Sequence, residues 1–92
     1  MIRPLLLSDI KEILAARLIN GDAQFTALTI DSRQLRKGDL FVAIKGPSFD
    51  GHAFVEPVHA AGAVAAVVEH TVDSDLPQLV VGDSRDALGL LG

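Results

Sequence analysis

There is no cysteine in this 92-residue chain, which removes disulfides, thiol nucleophiles and Cys-ligated zinc together. Tryptophan and tyrosine are absent as well and only four phenylalanines are present, so base-stacking platforms for single-stranded nucleic acid are poorly supplied. No apolar run approaches a membrane span. The longest, Ala60 to Val68, has nine residues, against the ~20 that a span requires. Met1-Ile2-Arg3-Pro4 and the three leucines after it are cut short by Ser8-Asp9, too early for a secretory signal. The expectation is a soluble cytoplasmic domain.

Basic residues are scarce and unevenly placed. Eight Lys/Arg against twelve Asp/Glu give a net charge of −4, which argues against a general nucleic-acid binder. Arg33, Arg36, Lys37 and Lys45 place half of the basic residues within thirteen positions, and Gly46 to Ser84 contains none. One short basic segment on an acidic chain suits a small anion better than a polyanion. The alternative is a solvated turn kept soluble by its charges.

What remains is enough for one core. Hydrophobic residues make up 49% of the chain and charged ones 22%, a globular profile, and the length allows one small domain against a typical ~100–150 residues. The pattern alternates strand and helix. Leu5 to Leu7 reads as a strand or packed entry. Ser8 or Asp9 is then expected to cap a helix carrying Ile10, Ile13, Leu14 and Leu18 at helical spacing, ended by Asn20-Gly21-Asp22. A strand is predicted over Phe25 to Ile30. Leu40 to Ile44, apolar throughout, suggests a strand covered on both faces. Gly46 to Gly51 is a loop by composition. A helix is expected to begin close to Pro57 and stop at Gly62, with Phe54, Val58 and Ala61 in line. Ala63 to Val68 and Gln78 to Val81 are further strands around an acidic connection, and Asp83 or Ser84 caps a last helix. The fold class is α/β, a small mixed sheet flanked by short helices. Only Arg85 to Gly92 remains of the last helix, so the chain is expected to be cut from a longer one, or to end against something absent.

The common enzyme signatures are missing. There is no G-x-x-x-x-G-K-[ST], no G-x-G-x-x-G and no G-x-S-x-G. His52, His59 and His70 match neither one helical face nor a standard metal spacing, and are expected to be surface or loop histidines with no metal. A tripeptide stands out instead. Asp31-Ser32-Arg33 and Asp83-Ser84-Arg85 each follow an apolar strand. The second suits a helix N-cap. The first puts a hydroxyl and a guanidinium where a sheet meets a loop, the usual place for a ligand in an α/β sheet, and arginine offers a planar fork to phosphate. Alternatively Arg33 pairs with Asp31 or Asp39 and shapes the turn. The loop Gly46 to Gly51, with Ser48 beside Phe49, is the second candidate; its glycines let backbone approach a ligand. It reads equally as an ordinary connection in which Phe49 caps the core.

Thr29-Ile30-Asp31-Ser32-Arg33, Gly38-Asp39-Leu40-Phe41-Val42-Ala43, Gly46 and Phe49-Asp50-Gly51-His52-Ala53-Phe54-Val55 together resemble the N-terminal domain of the Mur ligases. The likeness runs over essentially the whole chain. It implies an ATP-dependent peptide-bond-forming ligase of cell-wall synthesis, whose N-terminal domain holds the UDP end of a UDP-N-acetylmuramoyl-peptide. Residues 1–84 are then the substrate-binding domain, and 85–92 start a helix towards a central ATPase domain. ATP and magnesium belong to that central domain, and no cofactor is expected within these 92 residues, which are expected to be inactive alone. By position, Ile30, Ser32, Pro47, Ser48 and Phe49 are expected to contact the uridine diphosphate, and Arg33 is added for its charge and place. Leu76 to Val81 and Asp83 to Gly89 favour the member that adds D-alanyl-D-alanine over the sibling adding the third amino acid. No nucleic-acid or membrane partner is expected. The rival of another class is a stand-alone α/β interaction module that binds no nucleotide or other small ligand, in which the Asp-Ser-Arg motifs only shape turns.

Overall fold

A computed structural model describes residues 4–47 and 50–91. Its centre is a five-stranded mixed sheet of β2 (Arg17–Ile19), β4 (Leu28–Thr29), β5 (Leu40–Val42), β6 (Ala65–Val68) and β7 (Gln78–Val80), in the order β2-β7-β6-β5-β4. The four strands from β4 to β7 run parallel, and β2 closes one edge antiparallel to β7. A second, two-stranded ladder joins β1 (Leu5–Leu6) to β3 (Gln24–Phe25).

Alternation along the inner strands sorts two cores. Leu40, Val42, Ala65, Val67 and Leu79 face one layer, with Leu7 and Ile10 of helix α1 (Leu7–Ile10) and Ala87 of α3 (Ser84–Leu91). Phe41, Ala66 and Val68 face the other, where α2 (Val55–Ala61) contributes Val55 and Val58. Parallel strands with both faces covered have no use for a polar face, which is why Leu40 to Ile44 and Ala65 to Val68 read as unbroken apolar runs. Pro57 lies in the first turn of α2, where its missing N–H removes no helical bond. Gly62 ends that helix at φ 115° with its N–H bonded back to His59 and Val58. A Cβ there would also lie 3.0 Å from Lys37 Cα, so conformation and space both require glycine.

Two expectations from periodicity are corrected. The helix expected through Leu18 is only four residues long, and Asp9, rather than capping it from outside, accepts the N–H of Leu6 at 3.0 Å from within its first turn. Ala15 then takes φ 50° and turns the chain, and Leu18 pairs with Leu79 in the sheet. A short helix has little stability of its own, so pairing along the β7 edge decides the conformation of Arg17 to Ile19. The single strand predicted over Phe25 to Ile30 also divides. Phe25 belongs to the small ladder and is buried in the first core, while Leu28 and Thr29 join the large sheet. In the helix expected around Pro57, Val58 is buried but Phe54 is partly exposed and Ala61 exposed.

The acidic connection between β6 and β7 is held by side chains. Gln78, fully buried, gives its amide to Val72 O and takes the Val72 N–H, both at 2.9 Å. Asn20 donates to Ser74 O at 2.9 Å and Leu76 O at 3.2 Å. These amides satisfy backbone groups that no strand or helix serves. Leu79→Ala, at a fully buried core position, is expected to cost ~2–5 kcal/mol in urea unfolding, whereas Ile13→Ala, at a position 62% exposed, should stay within about 0.5 kcal/mol of the parent.

Candidate nucleotide cleft

Beyond the carboxyl ends of β4 and β5 lies a cleft of about 380 Å³ lined by Ile30, Asp31, Ser32, Arg33, Phe41, Gly51 and Phe54. Its size falls towards the lower end of the ~300–1,000 Å³ usual for ligand sites, enough for part of a nucleotide. One wall is built by the first Asp-Ser-Arg. Asp31 extends from β4 and its carboxylate accepts the Arg33 N–H at 2.9 Å, opening a 3-10 turn over Ser32–Gln34. Thr29 steadies the same bend, its hydroxyl accepting the Asp31 N–H at 3.1 Å. The opposite wall is a second 3-10 turn, Gly51–Phe54, opened by Asp50 in the same manner. Gly51 sits so close to β5 that a Cβ would stand 2.7 Å from Ile44 N. Phe41 forms the apolar floor, and Ile30 is half-exposed at the rim.

The residues singled out from sequence are distributed unevenly here. Ile30, Ser32 and Arg33 come together in the cleft. Pro47 is described and exposed but is not among the lining residues. Ser48 and Phe49 lie outside the described residues. Arg33 pairs with Asp31, Nε and Nη2 each 3.1 Å from a carboxylate oxygen, on a side chain 88% exposed. That bond holds the Asp31 carboxyl below the usual carboxylate range. A guanidinium has five N–H donors, and among the described residues two of Arg33's are engaged, both by Asp31. Asp39, the other partner considered, instead accepts the Arg36 N–H at 2.9 Å. Phe41, Gly51 and Phe54 were not anticipated as a site. The signal available was the Asp-Gly-His-Ala-Phe run, read as loop and helix.

His52 overturns the expectation of three surface or loop histidines. It is 7% exposed, and its ring spans two backbone segments. Nδ1 lies 2.6 Å from Asp50 Oδ1, and Nε2 accepts the Glu69 N–H at 2.8 Å. An acceptor at Nε2 puts the proton on Nδ1, so the ring is neutral and donates to Asp50. Those bonds, first the His52 N–H and then the ring, hold the Asp50 carboxyl below its ordinary value. Asp50, His52 and His70 place ligand-type atoms within 4.8 Å of one another. The two rings, however, are stacked at 4.3 Å and 13°. Their in-plane lone pairs therefore run side by side, and both nitrogens of His52 are already engaged. This is a hydrogen-bonded cluster rather than a tetrahedral cradle.

The second Asp-Ser-Arg does act as a helix cap. Asp83 accepts the Arg85 and Asp86 N–H groups at 2.9 and 3.1 Å. Glu69 reaches across to accept the Ser84 N–H at 2.8 Å and the Ser84 hydroxyl at 2.9 Å. Both bonds hold the Glu69 carboxyl below its ordinary value. Arg85 then donates to Lys45 O at 3.2 Å, at the start of the loop after β5.

A mixed α/β sheet with a small cleft at the ends of its parallel strands, edged by one arginine and floored by phenylalanine, defines a domain of the α/β class with a candidate ligand cleft. The Mur ligase family, catalytic domain, matches residues 24–89. The chain therefore belongs to the Mur ligase family. It is 46% identical over 85 residues to the UDP-N-acetylmuramoyl-tripeptide–D-alanyl-D-alanine ligase of Escherichia coli (strain K12), covering 92% of this chain and 19% of that protein. It is 48% identical over 62 residues to the UDP-N-acetylmuramoyl-L-alanyl-D-glutamate–2,6-diaminopimelate ligase of Aquifex aeolicus (strain VF5), covering 67% of this chain and 13% of that one. A crystal structure of MurF from Acinetobacter baumannii superposes with a TM-score of 0.88 at 34% identity, over 98% of this chain and 20% of that one. The chain thus spans about a fifth of the length of those relatives it matches most fully, and its fold is that of a Mur ligase N-terminal domain.

Since the folded Glu69 carboxyl binds its proton less readily than the unfolded one, its contribution is complete above the unfolded value of ~4.3 and is lost as pH falls through the lower folded value. Urea midpoints should therefore drop between about pH 5 and pH 3. Glu69→Gln is expected to lower stability by up to about 1 kcal/mol at pH 7 and to flatten the acid slope. An unchanged slope would remove Glu69 from the acid response.

Proposed function

We propose that this chain is the substrate-binding part of the ligase that adds D-alanyl-D-alanine to UDP-N-acetylmuramoyl-tripeptide, a step of peptidoglycan synthesis in the cytoplasm. The observation that carries the reading is the cleft, with an apolar floor of Phe41, a hydroxyl at Ser32 and a guanidinium at Arg33. That combination suits a nucleoside diphosphate. The base lies against Phe41, Phe54 and Ile30, Ser32 takes a hydrogen bond, and Arg33 faces the phosphates while Asp31 keeps its fork oriented. By the family resemblance, Pro47, Ser48 and Phe49 are further candidates for contact with the diphosphate. The role is positioning. Anchoring the nucleotide end lets the distant carboxylate of the peptide meet its reaction partners elsewhere in the full protein.

The ligation itself lies outside these residues. No phosphate-cradling P-loop occurs in the sequence, and the Asp50–His52–His70 cluster does not converge on one point. ATP and magnesium therefore belong, in this reading, to a central domain beyond residues 85–92, and residues 1–84 alone catalyse nothing. A MurF from Thermotoga maritima has been crystallised in complex with ADP, and 70% of this chain superposes on it with a TM-score of 0.61 at 41% identity. The diaminopimelate-adding ligase is the second reading, favoured by the 48% identity over 62 residues. The longer alignment, 85 residues, and the 98% coverage by MurF structures weigh towards the dipeptide ligase. Assays of the full-length protein with D-alanyl-D-alanine and with 2,6-diaminopimelate separate the two.

For the cleft, an NMR titration of the labelled chain with UDP is expected to move Ile30 to Arg33, Gly51 and Phe54, with ADP as the control that leaves them in place. Ser32→Ala should weaken UDP binding about five- to tenfold, the worth of one hydrogen bond, without lowering the melting temperature. Equal affinity in calorimetry would take Ser32 out of the site.

A further inference from the structure

We infer that His52 is a positioning residue: its neutral ring sets the cleft wall in its binding geometry, and a second proton on that ring releases the wall. The inference rests on the nucleotide reading of the cleft. His52 does not line the cleft, but the residues on either side of it do. Gly51 and Phe54 belong to the same 3-10 turn and form one wall. At its start the turn has two ties, one being the Gly51 N–H, which donates to Ile44 O at 2.9 Å just past β5, and the other running through His52. Asp50 opens it, bridges to Lys45, and receives the His52 ring proton at 2.6 Å. On the other side the ring accepts the Glu69 N–H at 2.8 Å, just past the end of β6. The imidazole is thus the side-chain link between the cleft wall and the end of β6, beside the backbone bond from Gly51 to Ile44.

That link exists in one protonation state. A doubly protonated imidazole carries hydrogens on both nitrogens, so Nε2 meets the Glu69 N–H donor to donor and the bond is lost. The surrounding charges pull in both directions. Asp50 touches the ring and attracts the cation, the Glu69 carboxylate lies on the residue that supplies the N–H, His70 stacks on the ring face, and Lys45 and Asp83 stand one residue further out. Among these, the Glu69 N–H is a donor that cannot titrate. Glu69 also clamps the start of α3 through Ser84, and Arg85 of α3 holds Lys45. Release of the ring therefore frees the wall from Glu69, which α3 keeps in place.

The decisive variant is His52→Gln, because the glutamine amide oxygen can replace Nε2 as acceptor and does not titrate, while His52→Ala leaves the Glu69 N–H unpaired. The probe is UDP-N-acetylglucosamine, whose diphosphate carries no group titrating near neutrality. The parent chain is expected to lose at least about fivefold in affinity from pH 7.5 to pH 5.5. His52→Gln should bind within about twofold of the parent at pH 7.5 and show no pH dependence, and His52→Ala should bind at least about tenfold more weakly with its dispersed NMR spectrum retained. A pH dependence that survives in His52→Gln, or parent-like binding by His52→Ala, overturns the inference. In the free chain, the amides of Asp50, Gly51, Phe54 and Glu69 should move together between pH 7.5 and pH 5.5 in the parent and stay still in His52→Gln; amides that stay still in the parent overturn it even if no nucleotide binds. Absent binding by the parent with those amides moving refutes the nucleotide reading and leaves the ring's hold on the wall supported.

Discussion

β5 and β6 carry no polar side chain, because both strands are covered on both faces. Leu40 to Val42 and Ala65 to Val68 are buried to the last residue, and a strand enclosed in this way can carry no side chain that needs water or a hydrogen-bond partner. Those two strands meet solvent and charge only where they stop. Asp31-Ser32-Arg33 follows β4, the Lys45–Asp50 loop follows β5, Glu69 follows β6 and Asp83-Ser84-Arg85 follows β7. Parallel strands bring all four to one edge of the sheet.

At that edge short polar side chains take over from the sheet. Three aspartates repeat one device: Asp31, Asp50 and Asp83 each accept the N–H two residues on and start a turn or helix. Each bond replaces a partner that the ladder no longer supplies. Glu69 joins two of these turns, giving its N–H to His52 and its carboxylate to Ser84. The cleft wall at Gly51–Phe54 and the start of α3 therefore share one residue, and disturbance at either reaches the other through two hydrogen bonds. No buried side-chain nitrogen or oxygen among the described residues lacks a partner, as a low-dielectric edge next to two apolar cores requires.

Much of this was legible from residue pattern. The covered strands, the helix ending at Gly62, the cap at Asp83 and the first Asp-Ser-Arg as a candidate site all follow from local chemistry. Leu18 was not legible, since its spacing from Ile10 and Leu14 fits a helix, while the competing partner, Leu79, lies sixty-one residues away. Nor was the split at Phe25, whose backbone pairs with Leu5 in the small ladder while its side chain packs under the large sheet. His52 was misread for the same reason. Its neighbours in sequence are loop residues, whereas the group that removes it from solvent is a backbone N–H seventeen positions later.

The sequence by itself determined which segments are apolar on both faces, where the chain turns, and which short motifs end a strand or begin a helix, because each of these depends on a few neighbouring residues. It also carried the family likeness, in motifs that read in order along the chain. Only the tertiary structure decided that Phe41, Gly51 and Phe54 share a cleft with Ser32, that Arg33 spends two of its donors on Asp31, and that His52 is neutral and buried. Those outcomes depend on which strand lies beside which. In a parallel sheet, contacts of that kind are made across connections far longer than any local signal.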